Sequence, residues 1–113
     1  MATRSSRPRQ DIGLIEAQGS FLGGEEVDEL RQAIKRFVDD QCPRLIIDLS
    51  DVTHVSSIAL GVLVAAVTSY TRRRWQLKIC GVNKVVYSVL AITKLNLLFD
   101  MAETQEEAIR GFG

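Results

Sequence analysis

Leu45-Ile46-Ile47-Asp48-Leu49-Ser50-Asp51-Val52-Thr53-His54-Val55-Ser56-Ser57-Ile58-Ala59-Leu60-Gly61-Val62-Leu63-Val64 is the stretch from which the rest of the chain can be ordered. It begins with consecutive aliphatics bounded by Pro43 upstream and Ser50-Asp51 downstream, a run too short for a helix. Residues 44–49 therefore read as a central strand covered on both faces. Residues 59–67 are apolar on every side, and polarity returns over 68–74 with three consecutive arginines. That pattern reads as a buried helix with a solvated end. Residues 50–57 are expected to form the strand-to-helix turn between them, with Ser56 and Ser57 at the helix start.

Upstream, Val27, Leu30, Ile34, Phe37 and Val38 recur at three- and four-residue steps through 25–41, with charged residues on the other side. This is an amphipathic helix lying on a sheet. Glu25 and Glu26 near its start complement the helix dipole, and Pro43 marks a break beyond its end. Before it, Ile12 to Gln18 reads as a strand ending at Gly19. Residues 1–10 are expected to form a flexible tail or an edge strand, and Arg4, Arg7 and Arg9 are assigned to a mobile tail.

Downstream, Trp75 to Cys80 alternates Leu77 and Ile79 with Gln76 and Lys78 and closes at Gly81, as a strand does. Asn83 is a suitable N-cap for a helix carrying Val86, Val89 and Leu90 on one face. Leu97-Leu98-Phe99 reads as a strand-like link. Thr104 and Glu107 have capping-box spacing ahead of a short closing helix with Ala108 and Ile109. The alternation of strands and helices is that of an α/β layer built on crossovers, in which functional surface collects where strand C-termini feed helix N-termini. The Ser50 to Ser57 turn is the candidate of that kind.

At 113 residues the chain suits one domain, and 46% apolar with 25% charged residues is a globular composition. Fourteen basic and fourteen acidic residues give a formal charge of zero, so no net charge draws the protein to nucleic acid or anionic membrane. The longest apolar run, Ile58 to Val67, is too short to span a bilayer, and no signal-peptide core follows MATRSSRPRQ. A cytoplasmic protein without membrane insertion is expected. Cys42 and Cys80 follow no metal-ligand spacing, and Cys80 reads as a buried thiol, with a structural disulfide the less favoured alternative.

The stretch Leu45 to Val64 resembles the STAS domain, named for sulphate transporters and bacterial anti-sigma factor antagonists. The likeness continues through Leu77-Lys78-Ile79-Cys80-Gly81-Val82, through Val89 to Leu95, and into the ending Leu98-Phe99-Asp100 with Thr104 to Ile109. It covers about residues 12 to 110. The resemblance implies one STAS-type domain over 11–113, an α/β layer with a mixed sheet of roughly four to five strands and about four helices. It further implies an anti-sigma factor antagonist that binds a kinase-type anti-sigma factor, is switched off by serine phosphorylation, and is restored by a serine phosphatase. Overlay of the motif puts the phosphorylated position on Ser57, with Ser56 the alternative. Partner contacts are then expected from His54, Val55, Ser56, Ser57, Ile58, Leu60 and Gly61. Ser56, Ala59 and Leu22 stand where relatives commonly carry Asp, Gly and Asp. The alternative, motivated by Ala59 and Leu22, is an unphosphorylated STAS scaffold subunit of a signalling or lipid-transport complex.

Each of these residues also has a plainer reading. Serine is a favoured N-cap regardless of phosphorylation, and Ser56 suits that role better than Ser57. His54 lies near serines and aspartates, but a hydrolytic triad needs a base oriented by a third group and an oxyanion hole, which neighbours in one turn do not supply. With no Gly-x-Ser-x-Gly elbow and no phosphate loop, no catalytic residue, cofactor or metal is expected. Arg72-Arg73-Arg74 before Trp75 could engage phosphates, yet cations at a helix end are favoured by its dipole. The solvated helix end is preferred, with no nucleic-acid partner. The residues fix no oligomeric state.

Overall fold

The structure, a computed structural model, describes residues 2–112. The chain runs β1 (Thr3–Arg9), β2 (Ile12–Phe21), α1 (Gly24–Asp39), β3 (Arg44–Val55), α2 (Ser57–Arg72), β4 (Gln76–Cys80), α3 (Lys84–Ile92), a 3₁₀ turn (Leu95–Leu97), β5 (Asp100–Ala102) and α4 (Gln105–Gly111). One five-stranded sheet has the order β1-β2-β3-β4-β5. β1 is antiparallel to β2, and the remaining pairs are parallel. The expected α/β architecture with a mixed sheet is what forms.

Parallel strands need crossovers, and α1, α2 and α3 supply them. Their apolar sides meet one face of the sheet, where Ile15, Phe21, Leu45, Ile47, Leu49 and Ile79 pack with Leu30, Phe37, Leu63, Tyr70 and Leu90. The other face is covered by α4, through Ile12, Leu14, Ile46, Cys80, Ala108 and Phe112. Leu45, Ile46 and Ile47 are each 0% exposed, which is why that run needs no polar alternation. Burying each such side chain contributes about 1.5–3 kcal/mol.

Several boundaries differ from the sequence reading, and tertiary pairing explains each. β2 continues past Gly19 to Phe21, and β3 past Leu49 to Val55, because the two extensions pair with each other from Gln18↔Asp51 to Phe21↔Val55. Val52 and Phe21 become buried in the process. The expected turn at 50–57 is therefore mostly strand. Trp75 is not the first residue of β4, since its N–H donates to the Tyr70 carbonyl at 2.9 Å and closes the end of α2. The link at 97–99 is not strand-like either. Lys94 adopts φ 61, the chain makes one 3₁₀ turn, and strand pairing begins only at Asp100.

Two features tune the layer. Gly81 has φ +69, and a Cβ there would fall 2.7 Å from the Cβ of Ser50, so the β4–α3 connection requires glycine on both counts. Glu16, Asp48 and Cys80 are register neighbours on adjacent strands on the α4 side. The Gln105 side-chain nitrogen donates to Glu16 at 3.1 Å and to Asp48 at 2.6 Å, tying α4 to two strands. Burial, with the Asp48 carboxylate as the next cause, pushes the Cys80 thiol up to about 12. Both cysteines are free and buried.

Arg4, Arg7 and Arg9 lie on β1 and not in a mobile tail. Arg4 pairs with Glu16 at 3.0 Å and Arg7 with Asp40 at 3.5 Å. Together with Pro8 these charges discourage pairing of the open edge with another strand. The start of β1 is held by Glu29 of α1, whose carboxylate accepts from the Thr3 N–H at 2.6 Å and the Thr3 hydroxyl at 2.8 Å. The Thr3 N–H and then its hydroxyl hold that carboxyl below the usual carboxylate range.

A lowered carboxyl pKa stabilises the fold above the unfolded-state value, and the benefit is lost as pH falls through the folded value. Glu29→Gln is therefore expected to cost under about 1 kcal/mol near neutral pH. The gap between wild type and variant in urea unfolding should close on acidification; a gap that widens in acid would contradict this account.

Candidate functional site at the junction of β3 and α2

Only one residue, Ser56, separates the end of β3 from the start of α2. Its N–H donates to the Phe21 carbonyl at 2.9 Å, which closes the β2–β3 ladder. Its backbone is extended, at φ −86 and ψ 170, and its Oγ accepts from the Ala59 N–H at 3.2 Å. Ser56 is the N-cap, and its hydroxyl is committed to the helix. Ser57 is the first helical residue and is exposed, and among the described residues its hydroxyl has no hydrogen-bond partner. Adjacent serines of the same chemistry thus have different surroundings.

The other expected contact residues divide by exposure. His54, Ile58 and Gly61 are exposed and Val55 is half-buried. Leu60 is 6% exposed and packs in the main core, on the helix face it shares with Leu63. It is removed from the surface set. Ala59, at 1% exposure, also faces inward, so its methyl lies under the junction and not on it. Ile58 is 57% exposed, and its Cδ1 lies 4.0 Å from where a Cβ on Gly23 would stand. With Leu22 at 63% exposure, the junction has an apolar rim.

Three contributors escaped the sequence reading or had only half their role assigned. Ser20 and Thr53 come together across β2 and β3, with their hydroxyl oxygens 3.1 Å apart and 3.4 and 3.2 Å from Nδ1 of His54. No local pattern links Ser20 to Thr53; a bulged register does. Asn83 caps α3 through Oδ1, as its sequence position suggests, accepting from Val86 at 2.9 Å. Its amide nitrogen also donates to the Val52 carbonyl at 2.6 Å and holds the start of α3 against the extended end of β3.

The chemistry open to this surface is limited and specific. Among the described residues no carboxylate is hydrogen-bonded to the His54 ring, and no group of three or more His, Cys, Asp or Glu could hold a metal ion. Two open concavities of about 640 Å³ each lie beside β2 and α1; no residue from His54 to Gly61 lines either, whereas Ser20 lines the second together with Glu25, Glu26 and Glu29. His54, Ser57, Ile58 and Gly61 present themselves as exposed surface.

The electrostatics of the junction leave room for an added charge. α1 and α4 carry Glu25, Glu26, Glu106 and Glu107 in their first turns, whereas α2, like α3, has no acidic residue there. The partial positive charge of the α2 N-terminus is left without a side-chain counterpart, which suits an incoming anion.

The division between the serines has a stability consequence. Ser56→Ala is expected to lower unfolding free energy by about 1 kcal/mol through loss of the cap. Ser57→Ala should stay within about 0.5 kcal/mol of wild type, as exposed substitutions do. Equal losses in urea titrations would reverse the assignment of the cap.

Comparison with known proteins gives the same picture at the level of the family and fold. The model of the STAS domain matches residues 5–108. A candidate anti-sigma factor antagonist from Thermotoga maritima superposes with TM-score 0.86 at 21% identity, covering 96% of this chain and 92% of that one. An anti-sigma factor antagonist from Mycobacterium paratuberculosis gives 0.80 at 22% identity, covering 96% and 91%. The phosphorylated form of the Bacillus cell fate determinant SpoIIAA gives 0.78 at 16% identity, covering 99% and 100%.

Proposed function

The chain belongs to the STAS domain family, and from that premise we propose that it is an anti-sigma factor antagonist whose partner surface is the β3–α2 junction and whose switch is phosphorylation of Ser57. The observation that carries this reading is the exposed, unbonded Ser57 hydroxyl on the first turn of a helix that lacks any acidic residue there. The similarity to structures named as anti-sigma factor antagonists supports the role, and one of these proteins, SpoIIAA, also has a similar structure named as its phosphorylated form.

The physical sequence of events follows from charge. A phosphate adds about −1.5 to −2 charges and three acceptor oxygens at a point where helix N–H groups face outward. The helix end accommodates that charge, so the domain stays folded. A partner packed on His54, Ser57, Ile58 and Gly61 must instead desolvate or oppose it, and affinity falls. In this scheme a kinase-type anti-sigma factor is both the bound partner and the enzyme that transfers the γ-phosphoryl group of ATP to the Ser57 hydroxyl with release of ADP, and a serine phosphatase hydrolyses the ester and restores binding. His54, Ser20 and Thr53 would supply hydrogen bonds to the partner, while Leu22 and Ile58 would supply apolar contact.

That apolar rim also favours a second reading, in which the same surface is covered constitutively by a scaffold or transport-complex subunit without phosphorylation. One experiment separates the two. Wild type, Ser56→Ala, Ser57→Ala and Ser57→Asp are incubated with ATP and each purified anti-sigma factor kinase of the source organism, then analysed by phosphosite mass spectrometry and titration of binding. The expected result is phosphate on wild type and Ser56→Ala, none on Ser57→Ala, and at least about tenfold weaker binding of Ser57→Asp. Undiminished phosphorylation of Ser57→Ala would exclude that residue as the acceptor. Tight binding of Ser57→Asp with no phosphorylation of any form would favour the scaffold.

A further inference from the structure

Zero net charge conceals a strong separation. From Val52 to Phe99 there is no Asp or Glu, while Arg72, Arg73, Arg74, Lys78, Lys84 and Lys94 all fall in that stretch. The remainder holds eight cations and all fourteen carboxylates, so the two parts carry formal charges of +6 and −6. The cationic part comprises α2, β4, α3 and the 3₁₀ turn. Among the described residues, only Lys78 of these cations is ion-paired, with Asp100 at 2.7 Å.

The helices α2 and α3 lie on the same sheet face, and as crossovers each runs back toward the edge where the parallel strands begin. Their ends combine free charge with exposed apolar side chains. Arg73 is engaged by Ser69 and stacks 5.5 Å from the Trp75 ring, but Arg72 and Arg74 have no partner among the described residues. Beyond α3, Lys94 is also without a partner, while Ile92 is 83% exposed, Leu97 81% and Leu98 46%. Packing does not demand these apolar residues, since Val86 and Leu90, at 1% and 0%, already anchor the helix to the core.

We propose that Ile92, Leu97 and Leu98, with Lys94 beside them in the chain and Arg72 and Arg74 at the same edge of the sheet, dock this edge peripherally on an anionic lipid bilayer. Charge complementarity supplies the attraction, because Arg72, Arg74 and Lys94 are drawn to a negative lipid surface, while Asp100, the carboxylate that follows the 3₁₀ turn, is paired with Lys78. The form of the apolar group selects lipid over a protein cleft. These side chains project from the surface, and a fluid interface receives projecting side chains without a preformed pocket. No helix among the described residues is long and apolar enough to cross a membrane, so the association is with the surface. The parallel strands put Ser57 at the opposite edge of the sheet, where it still faces water in the docked orientation.

The test is co-sedimentation of the full chain with vesicles of phosphatidylcholine alone and with vesicles containing about one third phosphatidylglycerol, at low and high salt. The expected result is at least about tenfold stronger partitioning onto the anionic vesicles, lost at high salt. It should fall about tenfold in Ile92→Asp/Leu97→Asp and in Arg72→Gln/Arg74→Gln/Lys94→Gln. All the altered side chains are exposed, and circular dichroism checks that the variants remain folded. Sedimentation with neither vesicle, equal sedimentation with both, or wild-type behaviour of the folded variants would overturn the proposal. Salt-sensitive binding to polyglutamate with none to vesicles would overturn it too, and would assign the face to an acidic protein.

Discussion

The structure depends on one constraint: β3 must be buried on both faces. Leu45, Ile46 and Ile47 lose all contact with water, so the sheet needs a helical layer on each side. Its parallel pairing with β2 and β4 forces the chain through crossovers. Those crossovers bring every helix N-terminus from α1 to α3 to the same edge of the sheet. The β3–α2 junction is thus a by-product of how a doubly buried strand is enclosed, and its position follows from topology before any side chain is considered.

What distinguishes the junction within that edge is how its backbone groups are satisfied. β2 and β3 extend together until the Ser56 N–H reaches the Phe21 carbonyl, and Ser56 then caps the helix with its side chain. This assignment leaves the next hydroxyl free. Had the strand ended at Leu49, Ser56 would end a loop over 50–56 without the bond to Phe21 that sets its direction. The bulged pairing of β2 with β3 therefore does for the site what a rigid scaffold does for any surface residue: it fixes where an otherwise mobile group points.

Charge is segregated along the chain, not by layer. The acidic first turns of α1 and α4 contrast with the acid-free stretch from Val52 to Phe99. A composition with equal numbers of acids and bases thus contains one long stretch that carries cations alone. Its net charge of zero says little about local attraction, because potentials are set by where charges fold to, and screening leaves each patch to act over about 8–10 Å.

The amino-acid sequence by itself determined the alternation of strands and helices from β2 to α3, the central strand, the amphipathic first helix, the all-apolar second helix and the caps at Asn83 and Thr104. Each of these is written in local periodicity or in a cap's short reach, where neighbours along the chain decide the outcome. Only the tertiary structure decided the extension of β2 and β3, the burial of Leu60, the Ser20–Thr53–His54 cluster and the bond from Asn83 to Val52. These rest on contacts between residues some thirty positions apart, whose register depends on bulges and on the packing of whole layers. So the sequence could point to a pair of serines, but which one caps the helix and which one faces water is decided by the strand that ends beside them.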